Sequence, residues 1–350
     1  MKRQSVNPFA ARLEGFRARL EAKRLAAALV FGEANIRALT GIACDSAALA
    51  VRSAGEPVVF TDFRYAPMIR RTAPWLPVRD IRALGRFCFA GPRLGFESAI
   101  PFARYERLRR LFPKRRFVDI SDELTALRAV KTPEEIGKLA AAEALNDAIW
   151  SEARRKFRAG MTELEMARVI RHLMIEKGEG EAFATIVCVG KNAAECHHVP
   201  DGTVWDGREP VLVDMGVRLD GYCSDMTRNL VPERPSRLYR RVYDLVLKAN
   251  LLAIAAAKPG MTAGALDRVA RKFLSENGFG KAFGHSLGHG VGLEIHEAPT
   301  ARKGDGTVLE PGMLVTIEPG VYLEGNLGVR IEDLVVITET GCRVLSASPK

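Results

Sequence analysis

Residues 160–183 read GMTELEMARVIRHLMIEKGEGEAF, and residues 260–283 read GMTAGALDRVARKFLSENGFGKAF. Eleven of these 24 aligned positions are identical, among them the opening Gly-Met-Thr, the central Arg-Val-x-Arg and the closing Ala-Phe. Each copy starts on a threonine suited to cap a helix, continues as an amphipathic helical pattern, and runs out at glycine before strand-like residues. Identical spacing of this kind predicts two αβ halves related by an approximate two-fold. The period is too long, and the copies too few, for a solenoid.

Downstream of each copy lies a pair of acids in apolar surroundings. After the first comes Val211-Leu212-Val213-Asp214, then Leu219-Asp220-Gly221, then Tyr222-Cys223-Ser224-Asp225. This reads as a hairpin. A centre between 219 and 220 makes Asp214 and Asp225 direct cross-strand partners. A centre at Asp220-Gly221 sets Asp225 opposite Gly216, on the face that Asp214 occupies. After the second copy comes Met313-Leu314-Val315-Thr316-Ile317-Glu318, a glycine-rich turn over 324–328, and Val329-Arg330-Ile331-Glu332, a second ribbon with two more acids.

Four carboxylates among Val, Leu and Ile need compensating charge. Two like charges ~4 Å apart repel by roughly 4 kcal/mol at a dielectric of about 20, and burial raises carboxylate pKa values until the groups discharge. Divalent cations remove both difficulties. Arg228 and Arg330 are near enough in sequence to pair with acids, but two guanidiniums do not neutralise four carboxylates. Three of the six histidines fall in Gly284-His285-Ser286-Leu287-Gly288-His289-Gly290-Val291-Gly292-Leu293-Glu294-Ile295-His296. No glutamate follows the first histidine and four glycines oppose a helix, which excludes the helical zinc-protease pattern. The segment also lacks the lysine of a phosphate loop. Clustered histidines in backbone that permits close approach read as site residues.

Upstream, Thr132-Pro133-Glu134-Glu135 begins a long helix with a capping box. The residues before it alternate helix and strand signals: a helix over 8–26, strands at 27–31, 47–51, 57–61 and 93–96, and a helix over 101–112. This predicts two domains, 1–125 and 126–350, in a mixed α/β (α+β) chain.

Composition sets limits. Hydrophobic residues at 47% and charged residues at 27% fit a folded globular chain rather than a disordered one. The most apolar stretch, 245–257, contains Lys248 and Asn250 and is too short to cross a bilayer. The opening MKRQSVNPFAARLEGF has no apolar core of a secretory signal, and the six scattered cysteines form no CxxC pair. Both point to reduced thiols and a cytoplasmic setting. Residues 1–130 hold 24 Lys and Arg against 12 Asp and Glu, a net of +12, whereas the remaining 28 basic and 30 acidic residues net −2. The densest basic run, RLRRLFPKRR at 107–116, is interleaved with apolar residues and accompanied by no nucleic-acid motif. It reads as an Arg-rich surface, not a nucleic-acid site.

Asp214, Asp225, His289, Glu318 and Glu332 stand with Gly-Tyr-x-Ser-Asp-x-Thr-Arg, Gly-His-Gly-x-Gly, His-Glu-Ala-Pro and Ile-Glu-Pro-Gly segments. Together they closely resemble the Xaa-Pro peptidases, aminopeptidase P and prolidase, of the methionine aminopeptidase/creatinase superfamily. RLEGFRARL, NIRALTG and TDFRY within 11–65 resemble the N-terminal domain of that family. The resemblance implies a pita-bread catalytic domain behind a smaller creatinase-type α/β domain, and two divalent ions, manganese with cobalt or zinc as substitutes. It implies that Asp225 and Glu332 bridge the ions, that Asp214 completes one site, and that His289 and Glu318 complete the other. By the same resemblance, Glu318 shuttles a proton and His197 contacts substrate. His285 and His296 steady the leaving amide and the tetrahedral intermediate, and Arg330 orients the bridging acids. It further implies a homodimer acting on peptides with proline second.

Methionine aminopeptidases share the five ligands and a Cys-His like Cys196-His197, but not the large N-terminal domain, the His285 equivalent or Arg-x-Glu-Asp as at 330–333. Creatinase lacks the ligand set present here, and non-catalytic relatives usually have broken metal sites. Some dipeptidases carry an arginine just after His-Glu-Ala-Pro, where this chain has Thr300, with Arg302 nearby. That tilts the reading towards an aminopeptidase, with the dipeptidase as its alternative.

Overall fold

A computed structural model describes Asn7 and residues 9–350. The basic start of the chain, read above as lacking a secretory core, and the first residue of the predicted 8–26 helix lie outside the described residues. The chain divides into two compact units, Met1–Arg128 and Ala129–Lys350. The division falls within helix Ser121–Ala129, whose Leu124 belongs to the N-terminal core.

The N-terminal unit is a six-stranded sheet in the order Val78–Asp80, Val58–Thr61, Ala47–Arg52, Ala27–Val30, Arg93–Phe96, Arg116–Asp119. Its four inner strands are almost wholly buried, which is why they read in the sequence as unbroken apolar runs rather than alternating ones. Alternate residues nonetheless serve different layers. Ala28, Val30, Leu49 and Val51 pack with Leu13, Phe16 and Leu20, whereas Ala27, Leu29, Ala48 and Phe60 pack with Phe87, Phe89, Leu108 and Phe112. The basic run splits between helix Phe102–Leu111 and the edge strand Arg116–Asp119.

In the second unit the repeat is visible bond by bond. Thr162 caps helix Glu163–Lys177 through Glu165 N–H, and Thr262 caps helix Ala263–Glu276 through Ala265 N–H. Gly160 N–H donates to Trp205 O at 2.8 Å, and Gly260 N–H to Leu309 O at 2.9 Å. Each half adds a longer helix, Pro133–Lys156 or Arg237–Ala256, with one buried asparagine turned onto the sheet. Asn146 Nδ2 donates to Met215 O and Asn250 Nδ2 to Ile317 O, both at 2.9 Å. One half carries the strands Ile186–Val189, Val211–Met215 and Met226–Leu230; the other carries Leu314–Ile317, Asp333–Ile337 and Cys342–Val344. None of the described helices is long and apolar enough to cross a membrane.

The ribbons settle the open register. Asp214 pairs with Thr227 and Met215 with Met226; beyond a gap, Leu219 pairs with Tyr222 around Asp220-Gly221. Positive φ at both turn residues, 49° and 71°, marks a tight primed hairpin turn. Asp225 therefore falls opposite Gly216, the second of the two registers. In the other ribbon, Ile317 pairs with Asp333 and, beyond a gap, Gly320 with Arg330, so that Glu318 and Glu332 face each other in the gap.

Candidate metal centre

The five residues converge inside the second unit. Ligand atoms of Asp225, His289 and Glu332 all lie within 4.8 Å of one another. His289 Nε2 is 3.6 Å from Asp225 Oδ2 and 3.4 Å from Glu318 Oε1. These separations are long for hydrogen bonds. They suit two donors sharing one cation, each at about 2.1 Å.

Local structure holds each donor. His289 lies on the short strand Gly288–Gly290, where a Cβ on Gly288 would fall 1.9 Å from Thr316 O, so only glycine permits the approach. His289 N–H donates to Thr316 Oγ1 at 3.0 Å, and that hydroxyl donates to Glu318 Oε1 at 3.2 Å. His289 Nδ1 lies 3.1 Å from Gly290 O. A proton there leaves the Nε2 lone pair aimed at the carboxylates, the tautomer a metal ligand needs. Glu332 Oε2 accepts from Thr227 Oγ1 at 2.7 Å, and Asp225 N–H donates to Glu143 Oε2 at 3.1 Å.

Only part of the negative charge is answered by protein. Arg330 Nη2 is 2.7 Å from Asp214 Oδ2, but Asp214 Oδ1 is buried without a partner. Arg228 turns away from the cluster to Asp333, at 2.9 Å. Burial, then the neighbouring acids, hold Asp225 and Glu332 well above the usual carboxylate range. Burial pushes Glu318 up to about 8, with Arg330 opposing and Asp214 reinforcing the rise. Burial takes His289 down to about 4, keeping it neutral. An orphaned carboxylate oxygen, three acids held above the usual carboxylate range and a neutral imidazole are the features that divalent cations would relieve.

A polar relay borders the cluster. Arg330 Nη1 donates to Tyr322 Oη at 2.8 Å, and Tyr322 Oη meets His285 Nε2 at 2.9 Å. His285 Nδ1 lies 2.7 Å from Ser286 O, so both ring nitrogens are engaged, and burial followed by Arg330 lowers the ring to about 4. Arg330 Nε also donates to Thr227 Oγ1 at 2.9 Å and Nη1 to Cys196 O at 3.2 Å. His197 follows that carbonyl, is exposed, and contributes to lowering His285. His296 is exposed, its ring 4.3 Å from that of His289. Thr300 is the strand partner of His289, whereas Arg302 lies outward, 3.9 Å from Asp305.

Sequence reasoning did not single out Tyr322, Thr227, Thr316 or Glu143. Tyr322 had one signal: Arg330 pairs with Gly320, and its diagonal neighbour on the same face is residue 322. A Cβ at Gly320 would sit 2.5 Å from the Tyr322 hydroxyl, so the glycine makes room for it. A second group, Glu163, His198 and Asp201, is already saturated. Glu163 accepts from Val189 N–H, Asn192 Nδ2, His198 Nε2 and Asp201 N–H.

A mixed α/β chain in which two pseudo-symmetric ribbons present carboxylates, beside one imidazole from a separate strand, has the make-up of a metal-dependent hydrolase. Residues 137–339 match the model of metallopeptidase family M24, and residues 12–130 that of the creatinase/prolidase N-terminal domain. The chain belongs to family M24. It is 33% identical to the uncharacterized peptidase YqhT of Bacillus subtilis over 92% of this chain and 94% of that one. Identity to the Xaa-Pro dipeptidase of Pyrococcus furiosus is 40%, over 73% of this chain and 74% of that one. The solved prolidase of Pyrococcus horikoshii OT3 superposes with a TM-score of 0.92 at 30% identity, over 97% and 99% of the two chains. The X-Pro aminopeptidase of Thermotoga maritima superposes at 0.86 and 32%, over 95% and 98%. The expected architecture, a pita-bread catalytic domain behind a creatinase-type domain, is the one this chain has.

Proposed function

We propose that the chain is a dinuclear metallopeptidase that removes the first residue from peptides with proline second. One observation carries the metal half of this reading: Asp225, His289 and Glu332 meet within 4.8 Å, with Glu318 3.4 Å from His289 Nε2 and the buried Oδ1 of Asp214 unpartnered. Asp214, Asp225, His289, Glu318 and Glu332 would hold two divalent ions, and an oxygen-rich donor set suits manganese or cobalt. When bound, such ions polarise a carbonyl and acidify a water. Glu318, which accepts a hydrogen bond from Thr316, would take a proton at Oε1. Arg330 orients Asp214 and Thr227, and through Thr227 it orients Glu332. Tyr322 is fixed between Arg330 and His285. Exposed His197 would contact substrate, and His285 with exposed His296 would steady the leaving proline amide and the tetrahedral intermediate.

Support for proline comes from the relatives named Xaa-Pro dipeptidase and X-Pro aminopeptidase. Proline removes an amide N–H and fixes the chain direction, so a pocket shaped to its ring selects a bond most peptidases reject. Thr300 in place of an arginine, with Arg302 beside Asp305, favours longer peptides over dipeptides. The dipeptidase reading rests on the names of several relatives. Homodimerisation and a cytoplasmic setting accompany the proposal, the first checked by light scattering. The deciding assay supplies Mn²⁺ and compares Xaa-Pro-Yaa tripeptides, Xaa-Pro dipeptides and Met-Ala-Ser. Tripeptide cleavage supports the proposal, turnover of dipeptides alone reverses the choice of exopeptidase, and preference for Met-Ala-Ser ends the proline assignment.

A further inference from the structure

The last six residues of the chain run behind the acid cluster and are tied there by side chains outside the ligand set. Leu345 N–H donates to Leu334 O at 2.8 Å, and Leu334 N–H returns to Ser346 Oγ at 2.9 Å. Ser346 Oγ donates to Glu143 Oε1 at 2.6 Å, and the other oxygen of Glu143 receives Asp225 N–H. One helical turn further along, Asp147 takes the backbone N–H groups of Ala347 and Ser348 at 2.8 and 2.7 Å. Ser348 O accepts from Arg228 Nε at 3.0 Å.

Arg228 joins this segment to the centre. Its Nη1 donates to the carbonyls of Thr227 and Glu332, the two residues whose side chains meet inside the site. Its Nη2 lies 2.9 Å from Asp333 Oδ1, and Lys350 Nζ takes the other oxygen of Asp333 at 2.6 Å. Asp333 is wholly buried and directly follows Glu332. Glu143, Ser346, Arg228 and Asp333 are buried, where losing one partner strands the other, whereas Ala347 and Lys350 lie at the surface.

We propose that Leu345–Lys350 is a strap that positions the metal-binding carboxylates Asp225 and Glu332, through Glu143 for the first and the Arg228–Asp333 pair for the second. Ser346, Ser348 and Lys350 are positioning residues that touch no substrate. The inference rests on the metal reading above. Residues that hold a ligand from behind typically change metal affinity by 10- to 100-fold when lost.

The test is calorimetric titration of Mn²⁺ into the metal-stripped full chain and its variants Lys350→Met, Ser346→Ala, Lys350→Arg and Arg343→Gln. Arg343 is exposed beside the strap and serves as the control. The unaltered chain and Arg343→Gln should bind two ions with equal affinity. Lys350→Met and Ser346→Ala should bind Mn²⁺ about 10-fold or more weakly, and Lys350→Arg should restore binding to within about threefold of the parent. Lys350→Met alters an exposed residue and keeps the test open if Ser346→Ala fails to fold. Unchanged Mn²⁺ affinity in both variants, even with a lowered melting temperature, overturns the strap, as does equal weakening in Arg343→Gln. Failure of the unaltered chain to bind Mn²⁺ overturns the metal reading itself, and the strap with it.

Discussion

Arg330 and Asp214 form an ion pair of 2.7 Å between Nη2 and Oδ2, and the same guanidinium holds Tyr322, Thr227 and the Cys196 carbonyl. Four partners in one plane need a fork, which lysine's point charge does not supply. Under the proposed dinuclear reading, Arg330→Lys should keep both ions, because Arg330 donates to acids assigned as ligands without being one. Its turnover should fall about 10- to 100-fold. Elemental analysis beside steady-state kinetics checks this, and loss of an ion from the variant would refute the positioning role.

The histidines separate by their second nitrogen. His289 presents a free Nε2 to Asp225 and Glu318, whereas His285 has both nitrogens engaged. His289→Ala should lose one ion, and His285→Ala should retain two while turning over more slowly. Asp225→Asn, at the middle of the cluster, should lose both. Chelation should abolish activity in the parent and Mn²⁺ should restore it. Metal content by mass spectrometry decides each case, and retention of two ions by His289→Ala contradicts the ligand assignment.

Gly288 is a packing constraint on the same strand. An added Cβ would meet Thr316 O at 1.9 Å, and backbone does not yield as a flexible side chain does. Gly288→Ala should cost about 1–3 kcal/mol of stability and displace His289 from Thr316. Urea denaturation of the metal-free chain measures the first effect. An unchanged midpoint would show that the strand moves freely.

His198 gives the pH dependence outside the metal centre. Burial works against its charged form, but the Glu163 carboxylate at 2.7 Å outweighs it and raises the imidazole above its usual range near ~6.5. The folded state therefore binds the proton more tightly than the unfolded one. The stabilisation is complete below about pH 6.5 and disappears as pH rises through the folded value. In chelator, the parent should gain more melting temperature than His198→Gln on going from pH 8 to pH 6. Equal gains would mean that Glu163 holds the loop through its other donors alone.

The strands at Ala47–Arg52, Val58–Thr61 and Arg93–Phe96 were plain in the sequence because burial on both faces leaves uninterrupted apolar runs. Helix Glu33–Thr40 and strand Val78–Asp80 were not legible. The helix is only eight residues long, and the strand lies at an exposed edge where no apolar pattern is required. The clustering of Asp214, Asp225, His289, Glu318 and Glu332 was legible because carboxylates in apolar strands are costly wherever they occur. The hairpin register was not, since apolar patterning tolerated both centres and only the backbone at Asp220 and Gly221 chose. Tyr322 escaped because its role depends on a diagonal relationship to Arg330, and no local pattern marks such a pair. Arg228 looked available to the acids, but its partner, Asp333, is adjacent to one of them and faces the opposite way.

Both acid ribbons resume their original pairing beyond the gap, so neither accumulates stagger between its base and its tip. This makes loop length at the tip a question of parity. A replacement for Glu324–Asn326 that preserves the Leu323–Leu327 pairing leaves the base undisturbed, whatever its composition. Moving the register by a single position would turn Tyr322 and Arg330 to opposite faces. Grafted turns at this hairpin should therefore divide into two populations, harmless and inactivating, with little between them.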